Sequence, residues 1–445
     1  MNPLPRHFRM LILFAGLFSP KYGHAQSVGD YVITHAKIFT LAGPPIEDGA
    51  VVIHGGKIAA VGAGVTVPAG AQVIDAKGLQ VYPGLFDSVT QMGLREIGSV
   101  PATVDTTEVG SFNPDLVAAT AVLPSSAHIP VTRAAGVTQV IAAPASGGLD
   151  SDGANSQVAG QASAIHLAGW TIDEMLLRKS AAMVLIWPSV ETRSFDFATF
   201  SVKEKPFTDA KKEYDKQVDL LAAYFEQARH YAQLLQASGG TNYARDVKLE
   251  AMAPVVRGEL PLLVFADTAR EIRDSVTFCE KQKARMILAG GAEAWKVKGL
   301  LRSKEVPVIL RPTLGGPPEE DNPYDRMLTQ PEELREAGVK VAFASFDNSF
   351  SRRLGQQAAN AVAHGLPYEE ALKGVTLYPA QIFGLDSQLG TVETGKMANL
   401  IVTNGDPLDV TTEVRYLFIQ GRLTSTDNKQ KALYERYLNR PKPAR

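Results

Sequence analysis

The sequence predicts an α/β protein: parallel strands alternating with helices, plus a small β domain assembled from both chain ends. Three observations carry this. Through the middle of the chain, apolar runs of strand length alternate with amphipathic helical stretches. Short β-branched strands broken by glycine come first, and strands of the same kind return near the C-terminus. The 445 residues, 45% hydrophobic and 21% charged, suffice for one large core and a smaller one.

The first residues, MNPLPRHFRMLILFAGLFSPKYGHAQ, combine a cationic start at Arg6 and Arg9 with an apolar run from Met10 to Phe18 and a small-residue exit at Ala25. This is the pattern of a secretory signal peptide over residues 1–25, cleaved near Ala25, and it predicts a secreted or periplasmic protein. The apolar run is too short to cross a hydrocarbon core, which needs about 20 residues. No later segment is long and apolar enough to span, so no membrane span is expected in the mature chain. Losing Arg6, Arg9 and Lys21 moves the formal charge from -2 to -5. That mild acidity argues against nucleic acid as a partner, because phosphate binding needs clustered Lys and Arg. Cys279 is the one cysteine, which excludes an intramolecular disulfide and a thiolate cluster; it reads as a small hydrophobe on a helix.

YVITHAKIFTL, AVVIHGGKIAAVG with its Gly55-Gly56 turn, and QVIDAKGLQVYPG form an antiparallel β unit. LGTVETGKMANLIVTNG and VRYLFIQGRL supply similar strands at the far end, after the helical segment PYEEALKGVTLYPAQIFG. Between them lie LFDSV, VTQVIAAPA, MVLIWPS, LPLLVFAD, ARMILAGG, VPVILRP and VKVAFAS, which read as strands buried on both faces. From Leu260 these recur every 22 to 33 residues, the rhythm of a parallel barrel. Seven strands are visible where a (β/α)8 barrel needs eight, so one is unassigned and a doubly wound open sheet is the alternative. Residues 209–237 place Tyr214, Val218, Leu221, Tyr224, Phe225, Ala228, Tyr231 and Leu235 at helical spacing, predicting a long helix packed by those side chains. Loops rich in Ser, Thr, Gly and Asp cover 105–130 and 145–161; both follow strands, where barrels build their sites.

The paired motifs EDGAVVIHGGKIAAVG and VIDAKGLQVYPGLFD at the front, and GLPYEEALKGVTLYPAQIFGLDSQLGTVETGKMANLIVTNGDPL and VRYLFIQGRL at the back, resemble the amidohydrolase superfamily of metal-dependent hydrolases. Within it the chain looks most like secreted members related to imidazolonepropionase and dipeptidase-type proteins. The resemblance implies a TIM-like (β/α)8 barrel over 84–384 and a small discontinuous β-sandwich over 26–83 and 385–425, with a C-terminal tail at 426–445. It further implies hydrolysis of a small molecule, commonly at a carbon-nitrogen bond that is not a peptide bond, by water activated on a divalent metal.

The superfamily's metal ligands do not map onto this sequence. The two histidines expected beyond PGLFD fall on Val89 and Gln91, and the later histidine positions on Phe265 and Gly290. Valine has no lone pair, and glutamine is a weak neutral donor. The aspartate after the last strand is Asp347, or in a shifted register Ser345 or Phe346. His128, His166, His230 and His364 are scattered singly, and His35 and His54 lie on β-domain strands, so each reads as structural. No usual metal site is therefore expected and no cofactor is called for. A harder divalent ion would need the carboxylates Asp87, Asp105, Glu108, Asp267 and Asp347 to converge. The segment holding Asp150, Asp152 and Asn155 hints at a calcium loop but lacks its closing glutamate and reads as a turn. Without a metal, Asp347 with Asp87 or Asp267 is the candidate acid and base pair. Thr107, Glu108, Asn113, Gln161 and Ser163 are the candidate ligand-holding residues, all of hydrogen-bonding type in loops expected at the barrel mouth. Two functions follow: a hydrolase with a degenerate metal site, or a catalytically silent barrel that binds a ligand or partner. A homo-oligomer stays open.

Overall fold

Eight strands line up in one barrel sheet in the computed structural model, which describes residues 29–144, 156–196, 199–237, 244–316 and 322–441. The leader and the calcium-like segment around Asp150 to Asn155 lie outside the described residues. In chain order the strands are β1 (Tyr31–Ile38), β2 (Ile46–His54), β3 (Lys57–Gly62), β4 (Gln72–Asp75), β5 (Gln80–Pro83), β6 (Leu85–Thr90), β7 (Val137–Ala142), β8 (Val158–His166) and β9 (Leu176–Ile186). They continue as β10 (Arg193–Asp196), β11 (Ser201–Glu204), β12 (Leu262–Ala266), β13 (Met286–Gly290), β14 (Val308–Leu310), β15 (Val341–Phe343), β16 (Leu400–Thr403), β17 (Val414–Ile419) and β18 (Arg422–Thr424).

The barrel order is β6, β7, β8, β9, β12, β13, β14, β15. Neighbours pair in parallel except at β8, which runs antiparallel to both β7 and β9. This is the strand the sequence left unassigned. VAGQASAIH is built largely from small and polar residues, so it lacks the β-branched apolar run by which its neighbours are read, and from sequence alone it reads as loop. Because it runs antiparallel to both neighbours, neither junction needs a crossover connection. The open-sheet alternative does not hold, because the first and last strands are joined: Phe346 N, just beyond β15, donates to Val89 O in β6 at 2.9 Å. The barrel interior is filled by Phe86, Val89, Ile141, Phe265, Ile309 and Phe346, with small residues between them.

The long helix forms as expected, at Phe207–Ala237, with Tyr214, Leu221, Phe225, Ala228 and Tyr231 buried against the barrel. Tyr214 also accepts a hydrogen bond from Trp187 Nε1 at 3.1 Å and donates to Asp274 Oδ2 at 2.5 Å, so its polar tip is satisfied.

Both chain ends contribute to one second sheet, ordered β18, β17, β16, β5, β1, β2, β3, with β4 paired to β1. The ends meet where β16 pairs antiparallel with β5, Val402 opposite Val81. Gly55 and Gly56, with φ of 56° and 82°, make the two-residue turn between β2 and β3 that the sequence predicts. A buried polar network ties this sheet to the barrel. Asn399 Nδ2 donates to Gln139 Oε1 at 2.9 Å and lies 3.1 Å from His166 Nδ1, while Asn399 Oδ1 accepts from Gln420 N at 2.7 Å. Burial pushes the His166 imidazole down to about 4. A histidine depressed in the folded state binds its proton first in the unfolded chain, so stability is expected to fall as pH drops from about 6.5 toward 4. Equilibrium urea unfolding across that window, compared between the wild type and His166→Gln, checks this: the variant's stability relative to wild type should rise as the pH falls.

Candidate functional site

Parallel barrels build their sites at the C-terminal ends of the strands, and β6 and β15 finish side by side there. Asp87 points into the seam between them and is fully buried. Its Oδ1 accepts from Ser345 N at 2.9 Å, and its Oδ2 lies 2.6 Å from both Ser345 Oγ and Ser351 Oγ. Ser345 Oγ is also 2.6 Å from the Asp347 carbonyl oxygen. A hydroxyl has one hydrogen, so both short contacts of Ser345 are satisfied when Asp87 itself carries a proton, donated to Ser345 Oγ while that hydroxyl donates onward. Burial raises the Asp87 carboxyl to about 6 against the pull of the Ser345 and Ser351 hydrogen bonds.

Asp347 lies close by in the same seam, but its side chain is turned to the following loop, where Oδ1 accepts from Ser349 N at 2.6 Å and Phe350 N at 2.8 Å. This is an aspartate turn, and it holds the loop that brings Ser351 to Asp87. Thr90 Oγ1 donates to the Asp347 carbonyl at 2.8 Å. Asp267 stands apart from the pair. Its carboxylate is gripped by Arg311, with Nε to Oδ1 at 2.7 Å and Nη2 to Oδ2, and Oδ1 also takes Ala292 N at 3.3 Å. Arg311 is a partner the sequence reading missed, because nothing local links positions 267 and 311.

The five candidate ligand-holding residues divide differently. Thr107 and Glu108 are exposed. Asn113 is buried, with Nδ2 donating to Gly110 O at 3.0 Å and Oδ1 accepting from Lys248 Nζ at 3.1 Å. Gln161 and Ser163 lie on β8, not in a loop. Gln161 Nε2 donates to Pro114 O at 2.8 Å and its Oε1 accepts from Ser180 Oγ. Ser163 Oγ accepts from Ala119 N at 3.0 Å and donates to Lys179 O at 2.7 Å. Asn113, Gln161 and Ser163 thus fasten the 108–120 loop to its neighbours, and their polar atoms are spent on protein groups.

The divalent metal that the fold family implies does not fit these residues. Val89 and Phe265 are buried in the apolar interior, and Phe265 packs edge-on against Phe346, with ring centroids 5.9 Å apart. Aromatic and aliphatic carbon therefore stands where imidazoles would converge. Gly290 has a φ of 103°, and a Cβ placed there would come within 2.7 Å of Asp267 Oδ1 and 3.1 Å of Ala266 O, so no ligand side chain has room. Gln91 is buried, with its Oε1 3.4 Å from Arg95 Nη1. The five carboxylates that a harder ion would need do not gather: Asp105 and Glu108 are exposed, Asp267 is held by Arg311, Asp87 by hydroxyls, and Asp347 is turned to the amides of Ser349 and Phe350. Among the described residues no three His, Cys, Asp or Glu side chains gather as a metal-binding group.

The barrel shares its fold with a solved amidohydrolase structure, and part of the chain matches a family model. Residues 324–425, including the Asp347 seam and the returning strands, match the model of the Amidohydrolase family. An amidohydrolase from Thermotoga maritima superposes with a TM-score of 0.76 at 24% identity, covering 89% of this chain and 99% of that one. The amidohydrolase tasK of Hapsidospora irregularis is 23% identical over 80% of this chain but only 37% of its own length. An imidazolonepropionase of Sphingopyxis alaskensis is 32% identical over 19% of this chain and 22% of its own. The chain thus spans well under two thirds of the curated relatives it matches.

Proposed function

We propose that this protein is a metal-free member of the superfamily that keeps the barrel as a scaffold for binding a small molecule, not as a hydrolase built on metal-activated water. The observation that carries this reading is the Phe265 and Phe346 pair packed with Val89 where the ligands would meet. A Lewis acid needs lone pairs at those positions, and the chain offers hydrocarbon. The N-terminal sequence supports export as part of the same reading.

Hydrolysis of a carbon-nitrogen bond other than a peptide bond is the second reading. It is favoured by the names of the relatives and by Asp87, a carboxyl raised to about 6 at the end of the barrel where β6 and β15 finish. Against it, Asp87 is fully buried and its oxygens are occupied by Ser345 and Ser351.

The test is metal content of the purified protein after incubation with Zn, Mn, Mg and Ca, together with a turnover screen on small amides and lactams. A metal content near zero for each ion, no turnover, and ligands that raise the melting temperature are the expected result. About one ion per chain, lost in Asp347→Ala, would overturn the metal-free reading. Metal-independent turnover abolished in Asp87→Asn would establish the second reading instead.

A further inference from the structure

The last helix, Lys429–Leu438, buries none of its residues. It is set firmly at its start: Arg133 Nε holds the Ser425 carbonyl at 3.0 Å, and the Asn428 side chain caps the first turn by accepting from Gln430 N and Lys431 N. Ten residues of helix are marginal in water without a surface to pack on. Yet Leu433, Tyr434, Tyr437 and Leu438 are all exposed, three of them by 60% or more.

At 3.6 residues per turn these four side chains share one side of the helix, spanning an arc of roughly 140°. Lys429 borders that arc on one edge and Lys431 on the other, while the single acid, Glu435, and Arg436 fall on the opposite side. From residue 428 to residue 445 six Lys and Arg accompany one Glu, in a chain of net charge -2. Leucines and tyrosines bordered by cations form the pattern of a helix lying in a membrane interface.

We propose that helix Lys429–Leu438 docks the protein on an anionic lipid surface, with Leu433, Tyr434, Tyr437 and Leu438 among the acyl chains and the bordering Lys429 and Lys431 at the headgroups. A second copy of this helix fits less well, because pairing two identical arcs would bring their cationic borders together with no acid to answer them. An anionic surface answers them all, each cation near it strengthening binding by about fivefold.

The experiment is co-sedimentation of the full chain with vesicles of phosphatidylcholine alone or of equimolar phosphatidylcholine and phosphatidylglycerol, at low and high salt. Binding confined to the phosphatidylglycerol vesicles, weakened by salt and reduced at least tenfold in Leu433→Glu/Tyr437→Glu, is the expected result. Because the helix buries nothing, that variant should melt like the parent. Equal sedimentation with both vesicle types, none with either, or binding unchanged in the variant would each overturn the proposal. So would a dimer in sedimentation velocity that the same variant dissolves without any vesicle binding, which would assign the face to a second copy.

Discussion

Gly290→Ala is expected to destabilise the protein by roughly 3 to 5 kcal/mol, since it combines a strained backbone with a steric clash. The φ of 103° is open to glycine but unfavourable for any residue with a Cβ. The new methyl would also sit 2.7 Å from Asp267 Oδ1, an atom that cannot swing away without breaking its pairing with Arg311. Histidine, the residue a metal site would want here, adds a ring to the same clash and should fold more poorly still. Urea unfolding of the alanine variant measures the cost. A loss below about 1 kcal/mol would show that Asp267 yields easily, and that the ligand position could be refilled by mutation.

Asp87→Asn should gain stability over the wild type as pH rises, by on the order of 3 kcal/mol between pH 3.5 and 7. The Asp87 carboxyl is raised to about 6 from an ordinary 3.8, so the folded protein holds a proton that the unfolded chain releases across that interval. Wild-type stability from this group is therefore fully present below about 3.8 and is lost as pH rises through about 6. The asparagine keeps the shape, accepts from Ser345 N through its oxygen and donates through its amide, but cannot ionise. His166 acts in the opposite sense over an overlapping window, so the wild-type profile alone would show little slope. The difference between variant and wild type isolates Asp87. A difference that stays flat with pH would mean that the carboxyl is ionised throughout and that Ser345 gives its hydrogen to Asp87 alone.

Both experiments bear on the end of the barrel where β6 and β15 finish. There the chain gathers Phe265, Phe346 and Val89, and joins its first and last barrel strands through Asp87, Ser345 and Ser351. Phe346 itself is held at a φ of 54°, a left-handed conformation unusual for an aromatic residue. That turn gives Val89 O its partner and aims the ring at Phe265. The strained backbone thus serves the closure of the barrel and the filling of its interior together.

Much of the architecture was written in local pattern. LPLLVFAD and ARMILAGG declare buried parallel strands by composition alone, the 209–237 periodicity declares a helix, and Gly55-Gly56 declares a hairpin. The emptiness of the histidine positions is equally a property of the sequence, since valine, phenylalanine and glycine lack lone pairs whatever surrounds them. Tertiary structure decided the rest, because those features depend on residues far apart in the chain. VAGQASAIH becomes a barrel strand only because β7 and β9 bond to both of its edges. Asp87 is a carboxyl raised to about 6 because residues as distant as Ser345, 258 positions away, help to shut it from water, and Asp267 is an ion-pair partner because Arg311 reaches it from the next but one strand. A side chain's chemistry is local, but its pKa, its partners and the space beside it belong to the fold.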